Sequence, residues 1–530
     1  MSTLSIAGSG GGRAQSVRHS NLDGSNMITF NEDDYIDPQF ERTASEVQER
    51  AAIHRIQEVI MGSVAEMGIL RRRWREEYED LKRRSPSLPS RERSRLNRLG
   101  RIFADLPSRP GLATRDVHRK THGCLAGELQ IDQNLPTDLA VGVFEPGKTY
   151  DAVIRFSNGD PQAQNDALPD ARGMAVKLLP PGTLPSGEGA VAKQLIDEQS
   201  GKPIDPDEIN RNGILDIVTI NYPVFFTVNP DAYAKVNRVF FHGVRNEDSA
   251  FRSFLAFLWT EIASVPILGC RDAAAALRVN GGVINHPLFQ SYWSMAPSRL
   301  GARGADKVTA VKYKWEPFYP DSRGQKLLAE NNPAWAERRD FGFPLLGWIR
   351  RIKAIPAVIR SDPDHLRAII ARTLDPANYG PGKDPIPIRF ALKVQKFLDE
   401  ENTPIENSSV VWLEDEDQRK RFGHLFPRAE TSRIWRRKIA SLRTIGVLTV
   451  FPLSRALITG GHMRNAQLIE DLSFNPWNNV PDQHRPLGIV QRMKRRVYAG
   501  SRRARFAANV VANPFDPGPP PPAAPDRKSI

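Results

Sequence analysis

The stretch AVIRFSNGDPQAQNDALPDARGMAVKLL, residues 152–179, decides how the chain is read. Its two ends, AVIRFSN (152–158) and GMAVKLL (173–179), are short runs rich in apolar and β-branched residues, the signature of strands. Between them stand Gly, Pro, Asn and Asp, the residues that break strands. The same texture begins near Arg115 and returns in ILDIVTI (214–220), VFFTV (224–228), Val308–Trp315 and Ile388–Phe397. Helical patterns interrupt it at 231–275 and 364–374, and a last helix is expected over 486–506. No internal repeat is present. This alternation predicts a mixed β-barrel domain with helical insertions and a helical C-terminal part.

Upstream, residues 1–42 are polar and rich in Gly, Ser and Asp, and are expected to be disordered. The GSGGG run at 8–12 is no phosphate loop, since no strand precedes it and no GK[ST] follows. Ile53, Ile56, Ile60, Val64, Met67, Leu70, Trp74, Tyr78 and Leu81 then recur every three or four residues, the spacing of one helix face. Thr43 and Glu46 are placed to form a capping box. A second, basic helix is expected to carry Leu96, Leu99, Ile102, Phe103 and Leu106. Such stripes pack on a main domain or on another subunit. The predicted units are therefore a tail (1–42), a helical extension (43–110), a main domain (111–506) and a Pro-rich tail (507–530).

The bulk numbers exclude several classes. With 530 residues, 40% hydrophobic and 25% charged, the chain has the composition of a globular protein. Its two cysteines, Cys124 and Cys270, form no CxxC and support neither a disulfide framework nor a structural zinc site. No apolar leader segment is read at the N-terminus, and the apolar run Phe254 to Leu268 is too short to span a bilayer. A cytoplasmic location is expected. The formal charge of +13 is concentrated: residues 71–101 and 491–505 each carry a net +7. Basic segments of this kind suit nucleic acid, anionic lipid or an anionic ligand held inside the protein. Few aromatics interleave them, so no nucleic-acid partner is expected.

His118 and His122 stand four apart in RDVHRKTHGC. On a helix that spacing could place both rings on one metal, but no HExxH glutamate is present and Gly123 follows directly. Their meaning changes with what comes after. RDVH is followed by IRFSN (154–158), DARGMAVKL (170–178), TINYPVFF (219–226), SFNPWNNVP (473–481) and RMKRRVYAGSRRARF (492–506).

In this order the pieces resemble the haem catalases and the smaller catalase-related haem proteins. The resemblance covers residues 111–506, with clear motifs at both ends and a looser middle. NHPLFQSYWSMAPSRLG, TPIEN and HRPLG resemble the small, catalase-related peroxidase branch. It implies an α+β, catalase-like antiparallel β-barrel that binds haem b. Tyr498 matches the proximal iron ligand and His118 the distal acid–base residue. Ser157 matches the residue that orients the distal imidazole, and Asn221 the one that hydrogen-bonds the peroxide. Arg115 and Arg155 match propionate-binding arginines, and Phe225 and Phe226 would line an apolar approach to the iron. Arg505, two helical turns after Tyr498, lies on the same face and would keep the phenolate ionised. Lys494 stands where family members carry Arg.

The resemblance implies a haem peroxidase or related enzyme cleaving the O–O bond of organic or lipid hydroperoxides. A true catalase dismutating hydrogen peroxide is the alternative, and a haem sensor or store the non-enzymatic one. The amphipathic basic stretch FGFPLLGWIRRIKAIPAVIR (341–360) suits either peripheral membrane contact or packing on the barrel. An oligomer is compatible with this reading.

Overall fold

The structure is a computed structural model. It describes residues 35–104, 117–160, 165–185, 204–235, 278–305, 307–332, 362–375, 388–423, 428–452 and 471–511, with isolated positions between them. The stretches 254–268 and 341–360, apart from Pro266 and Pro356, lie outside the described residues, as do Cys270 and both expected tails beyond 35 and 511.

Nine strands form the sheet: β1 (Thr121–Ile131), β2 (Thr149–Asn158), β3 (Arg172–Leu179), β4 (Leu215–Ile220), β5 (Tyr292–Trp293), β6 (Ser298–Leu300), β7 (Thr309–Pro317), β8 (Ile388–Lys396) and β9 (Leu442–Val450). Their pairings are antiparallel, in the order β5-β4-β3-β2-β1-β9-β8-β7-β6. Pairing of β5 with β7, through Tyr292 with Trp315 and Trp293 with Lys314, closes eight strands into a barrel and leaves β6 as an outlying strand. Closure removes the exposed edges that an open sheet would present. The α+β fold with a closed antiparallel barrel is the one expected.

The barrel interior comes from the two-residue period of strands. On β2, Tyr150, Ala152, Ile154 and Phe156 enter the main core; on β3, Met174, Val176 and Leu178 do so. The intervening residues, Val153, Arg155 and Ser157 on β2 and Gly173 and Ala175 on β3, face outward. They are buried all the same. Val153 packs there with Leu184, Leu195, Ile209 and Leu472, while Arg155, Ser157, Gly173 and Ala175 look across a cleft at the C-terminal helix.

The described helices include α1 (Glu46–Arg83), α2 (Ser90–Ala104), α3 (Pro206–Asn212), α4 (Ser322–Asn331), α5 (His365–Leu374), α6 (Glu416–Gly423), α7 (Arg428–Arg436) and α8 (Ile489–Val511). The expected apolar stripe of α1 packs inward at Ile53, Ile56 and Ile60, in one cluster with Val490, Met493 and Val497 of α8.

Three expectations need correction. VFFTV (224–228) forms no strand: after β4 the chain turns, and Val224, Phe225 and Phe226 join the cluster under α1 and α8. Apolar residues in sequence suit a buried loop as well as a strand when tertiary contacts supply the burial. The cap of α1 is Ser45, whose side chain accepts from Gln48 N, while Thr43 hydrogen-bonds Glu49. Residues 35–42, drawn as the end of a disordered tail, are packed against the domain: Tyr35, Asp37 and Glu41 are each at most 3% exposed. Strands β1 and β9 carry Gly among their apolar residues, which hides them from a reading by pattern alone.

Candidate active site

The turn before β1 places His118 at the rim of the barrel. Its φ is +55°, a left-handed conformation that costs a non-glycine residue energy and must be held by its surroundings. It is held from several sides. His118 N donates to Gly159 O (3.2 Å), and Arg155 Nη2 donates to both His118 O (2.6 Å) and Thr121 Oγ1 (2.8 Å), bracing the turn against β1.

The ring is fixed too. Nδ1 lies 2.6 Å from the carbonyl oxygen of Asn158 and 3.2 Å from Ser157 Oγ. A carbonyl can only accept, so Nδ1 carries the proton and Nε2 is left with the lone pair of a base. Burial, with Arg155 next in effect, lowers the ring's pKa to about 4 and keeps it neutral near pH 7. The shorter of the two contacts comes from a backbone carbonyl. Residue type could point to Ser157 but not to Asn158 O, because every residue carries such a group.

A cleft opens here, with empty space of about 620 Å³ that includes its open mouth. One wall is the outward face of β2, β3 and β4, with Arg155, Ser157, Gly173, Ala175 and Val218. The opposite wall is α8, which presents Tyr498, Ser501, Arg502 and Arg505. Helical spacing explains this set: positions 498, 501, 502 and 505 recur every three or four residues on one face. Arg115 and Val117 close one end, and Ser473 and Phe474, from the SFNP segment, also line it.

Residues separated by almost four hundred positions thus meet at one cleft: Arg115, His118, Arg155, Ser157, Tyr498 and Arg505. Among the described residues four arginines line it and no acid does. Gly173 is needed where it stands, since a Cβ there would sit 2.7 Å from His118 Nδ1 and 2.8 Å from Ser157 Oγ. Lys494, one turn before Tyr498 on α8, is buried, and burial pulls its pKa down to about 7.

Three expected residues, Asn221, Phe225 and Phe226, are not among those that line this cleft. Asn221, at the end of β4, uses its side-chain oxygen to accept from Arg172 N (2.8 Å), extending the β3–β4 ladder. Phe225 stacks against Phe226 with ring centroids 4.7 Å apart, in the cluster on which Tyr498 packs. The pattern missed Ser501, Arg502, Ser473 and Phe474; the repeat at three and four residues from Tyr498 could have found the first two. The paired-histidine metal reading is not supported: His118 sits in a turn, while His122 lies in β1, buried beside Asp166 (3.7 Å). Among the described residues no group of three or more His, Cys, Asp or Glu could hold a metal ion.

Three solved structures are similar to this chain. A fungal catalase matches with 16% identity over 80% of this chain and 64% of that one, at a TM-score of 0.42. Catalase A from Saccharomyces cerevisiae matches with 14% identity over 79% and 66%, at 0.45, and a bacterial catalase with 16% over 76% and 60%, at 0.41. The chain is similar in fold to catalases. It spans between 60% and 66% of the length of these three. No protein-family model matches the chain, and no curated protein is similar to it.

The donor set of the cleft fits haem. A phenol oxygen on Tyr498 is a hard anionic ligand of the kind that holds ferric iron. Arg115, Arg155 and Arg505 offer guanidiniums to two carboxylates, which are costly to bury without such partners. Val117, Ala175 and Val218 supply apolar surface for a flat macrocycle.

Proposed function

We propose that the protein is a haem-dependent peroxidase that cleaves the O–O bond of organic hydroperoxides. The observation that supports this best is the shared cleft: a histidine with its basic nitrogen unprotonated, a tyrosine on the facing helix, and arginines on both walls. Tyr498 would hold the iron, with Arg505 on the same helix face favouring the phenolate. Arg115 and Arg155 would take the propionates. Bound there, haem supplies the two electrons that break the peroxide bond, which an external reductant later replaces.

The chain's own residues move the proton. His118 Nε2 accepts it from the hydroperoxide O–H and returns it to the departing oxygen, so that an alcohol or water leaves rather than an anion. The carbonyl of Asn158 stabilises the imidazolium while it exists, since Nδ1–H goes on donating to it. Burial is the larger cause of the low His118 pKa, and carboxylates bound to Arg115 and Arg155 would offset only the smaller part that these arginines add.

The test is spectroscopic first. Reconstituted protein should show a Soret band with the charge-transfer features of a ferric phenolate, and Tyr498→Phe should lose the haem or shift those features. Full haem content with an unchanged spectrum would mean that another residue is the ligand. The substrate is then read from kcat/KM for hydrogen peroxide, cumene hydroperoxide and a fatty acid hydroperoxide, with and without a dye reductant. Turnover of the organic substrates is expected to lead. Rapid oxygen release from hydrogen peroxide alone would replace this reading with catalase.

A further inference from the structure

The helix that carries Tyr498 and Arg505 is gripped from behind by the N-terminal part of the chain. Arg492, on the first turn of α8 and 1% exposed, faces three carboxylates. Its Nε and Nη2 donate to the two oxygens of Glu49 on α1 (2.6 and 3.0 Å), and Nη1 donates to Glu41 (2.5 Å). Glu406 takes both terminal nitrogens at 3.0 Å. Tyr35 Oη completes the group by donating to Glu49 (2.7 Å).

The same carboxylates also cap the helix. Glu41 accepts from Gly488 N (2.7 Å) and Glu406 from Ile489 N (3.0 Å), two backbone donors at the start of α8 that have no partner within the helix. Negative charge at this end also suits the helix dipole. Two turns further on, Gly500 leaves no room for a side chain: a Cβ there would lie 2.7 Å from Gln57 Cγ and 3.3 Å from Met61 Cγ of α1. Gly500 is two residues beyond Tyr498. The contacts with residues 35–61 therefore bracket the tyrosine, with an ionic anchor before it and a close steric contact after it.

We propose that residues 35–61 are a positioning element of the cleft, setting the depth and rotation of α8 through Glu41, Glu49 and Gly500 and so the placement of Tyr498 and Arg505. None of these anchors lines the cleft, so they act through the helix. A helix held at two points on its outer face can neither slide along its axis nor roll without breaking one of them. The inference rests on the reading of Tyr498 as the iron ligand only for its consequence, not for the grip itself.

Two variants disturb separate contacts. Glu49→Ala removes the bidentate partner of Arg492, with Glu49→Gln as the conservative control that keeps an acceptor oxygen. Gly500→Leu wedges α8 away from α1. In the haem-free full chain, amide hydrogen exchange over 489–505 should speed up about tenfold or more in both variants, with the β1 and β2 amides unchanged and Glu49→Gln close to wild type. In haem-loaded protein the same variants should shift the phenolate charge-transfer band and weaken haem affinity about tenfold. Unchanged exchange over α8 in both variants overturns the proposal, and so does faster exchange with an unmoved charge-transfer band. A wild-type chain that takes up no haem sinks the reading of Tyr498, and the haem-free exchange then decides separately whether α8 is held. Should Glu49→Ala fail to fold, Gly500→Leu alone decides.

Discussion

At the scale of single residues, the left-handed His118 concentrates the design. Its backbone is held by Gly159 O and the Arg155 guanidinium, and its ring by Asn158 O. His118→Ala should therefore keep haem binding while losing about 10²–10⁴-fold in rate, the usual contribution of general acid–base catalysis. A stopped-flow measurement of peroxide cleavage checks this, and a loss below tenfold would remove His118 from the chemistry. Gly173→Ala is the complementary change. Its Cβ would crowd Nδ1 and Ser157 Oγ, so the ring must turn and the Asn158 contact must lengthen. It should depress the rate with little change in melting temperature, whereas an unchanged rate would show that the ring tolerates displacement. His118, Tyr498, Arg115, Arg155, Ser157 and Arg505 were legible as a set because motif order marked them. Asn158 O was not, since a backbone acceptor leaves no trace in residue type.

At the scale of elements, amphipathic spacing carried far. The stripe Ile53, Ile56, Ile60 was readable from period alone, and each of these residues is at most 1% exposed. Ile56→Ala should cost about 2–5 kcal/mol by chemical denaturation, the range for emptying a buried aliphatic site. His54→Ala, on the exposed side of the same helix, should stay within about 0.5 kcal/mol. Equal effects would mean that the helix face is misassigned. Spacing failed at VFFTV, where burial comes from α1 and α8 rather than from strand neighbours. Spacing was silent on Asn221, whose side-chain oxygen accepts from Arg172 N, a contact that only the meeting of β3 and β4 creates.

At the scale of the whole molecule, buried histidines tie distant segments together and make stability depend on pH. His484 Nε2 accepts from Val143 N (2.9 Å), joining the segment before α8 to the β1–β2 connection. Burial lowers its pKa to about 4, so the folded state keeps it neutral while the unfolded chain protonates it near 6.5. The unfolded state thus binds more protons between these values, and stability falls as pH drops from 6.5 to about 4. At pH 5 this one group should cost about 2 kcal/mol relative to pH 7.5. In urea titrations the stability advantage of wild type over His484→Gln should narrow by that amount at pH 5. A gap that stays constant between the two pH values would show that His484 is protonated in the fold.

The sequence by itself determined the strand and helix periods, the ordered motifs and the α8 face that bears Tyr498 and Arg505, because these depend on neighbours two to seven residues apart. Tertiary structure decided the rest. Closure of the barrel through β5 and β7, the cleft between its outer face and α8, and the grip of Glu41 and Glu49 on Arg492 join residues up to 451 positions apart. Such contacts are selected by the free energy of burying an outward strand face and an uncompensated charge at once. Local spacing is blind to both.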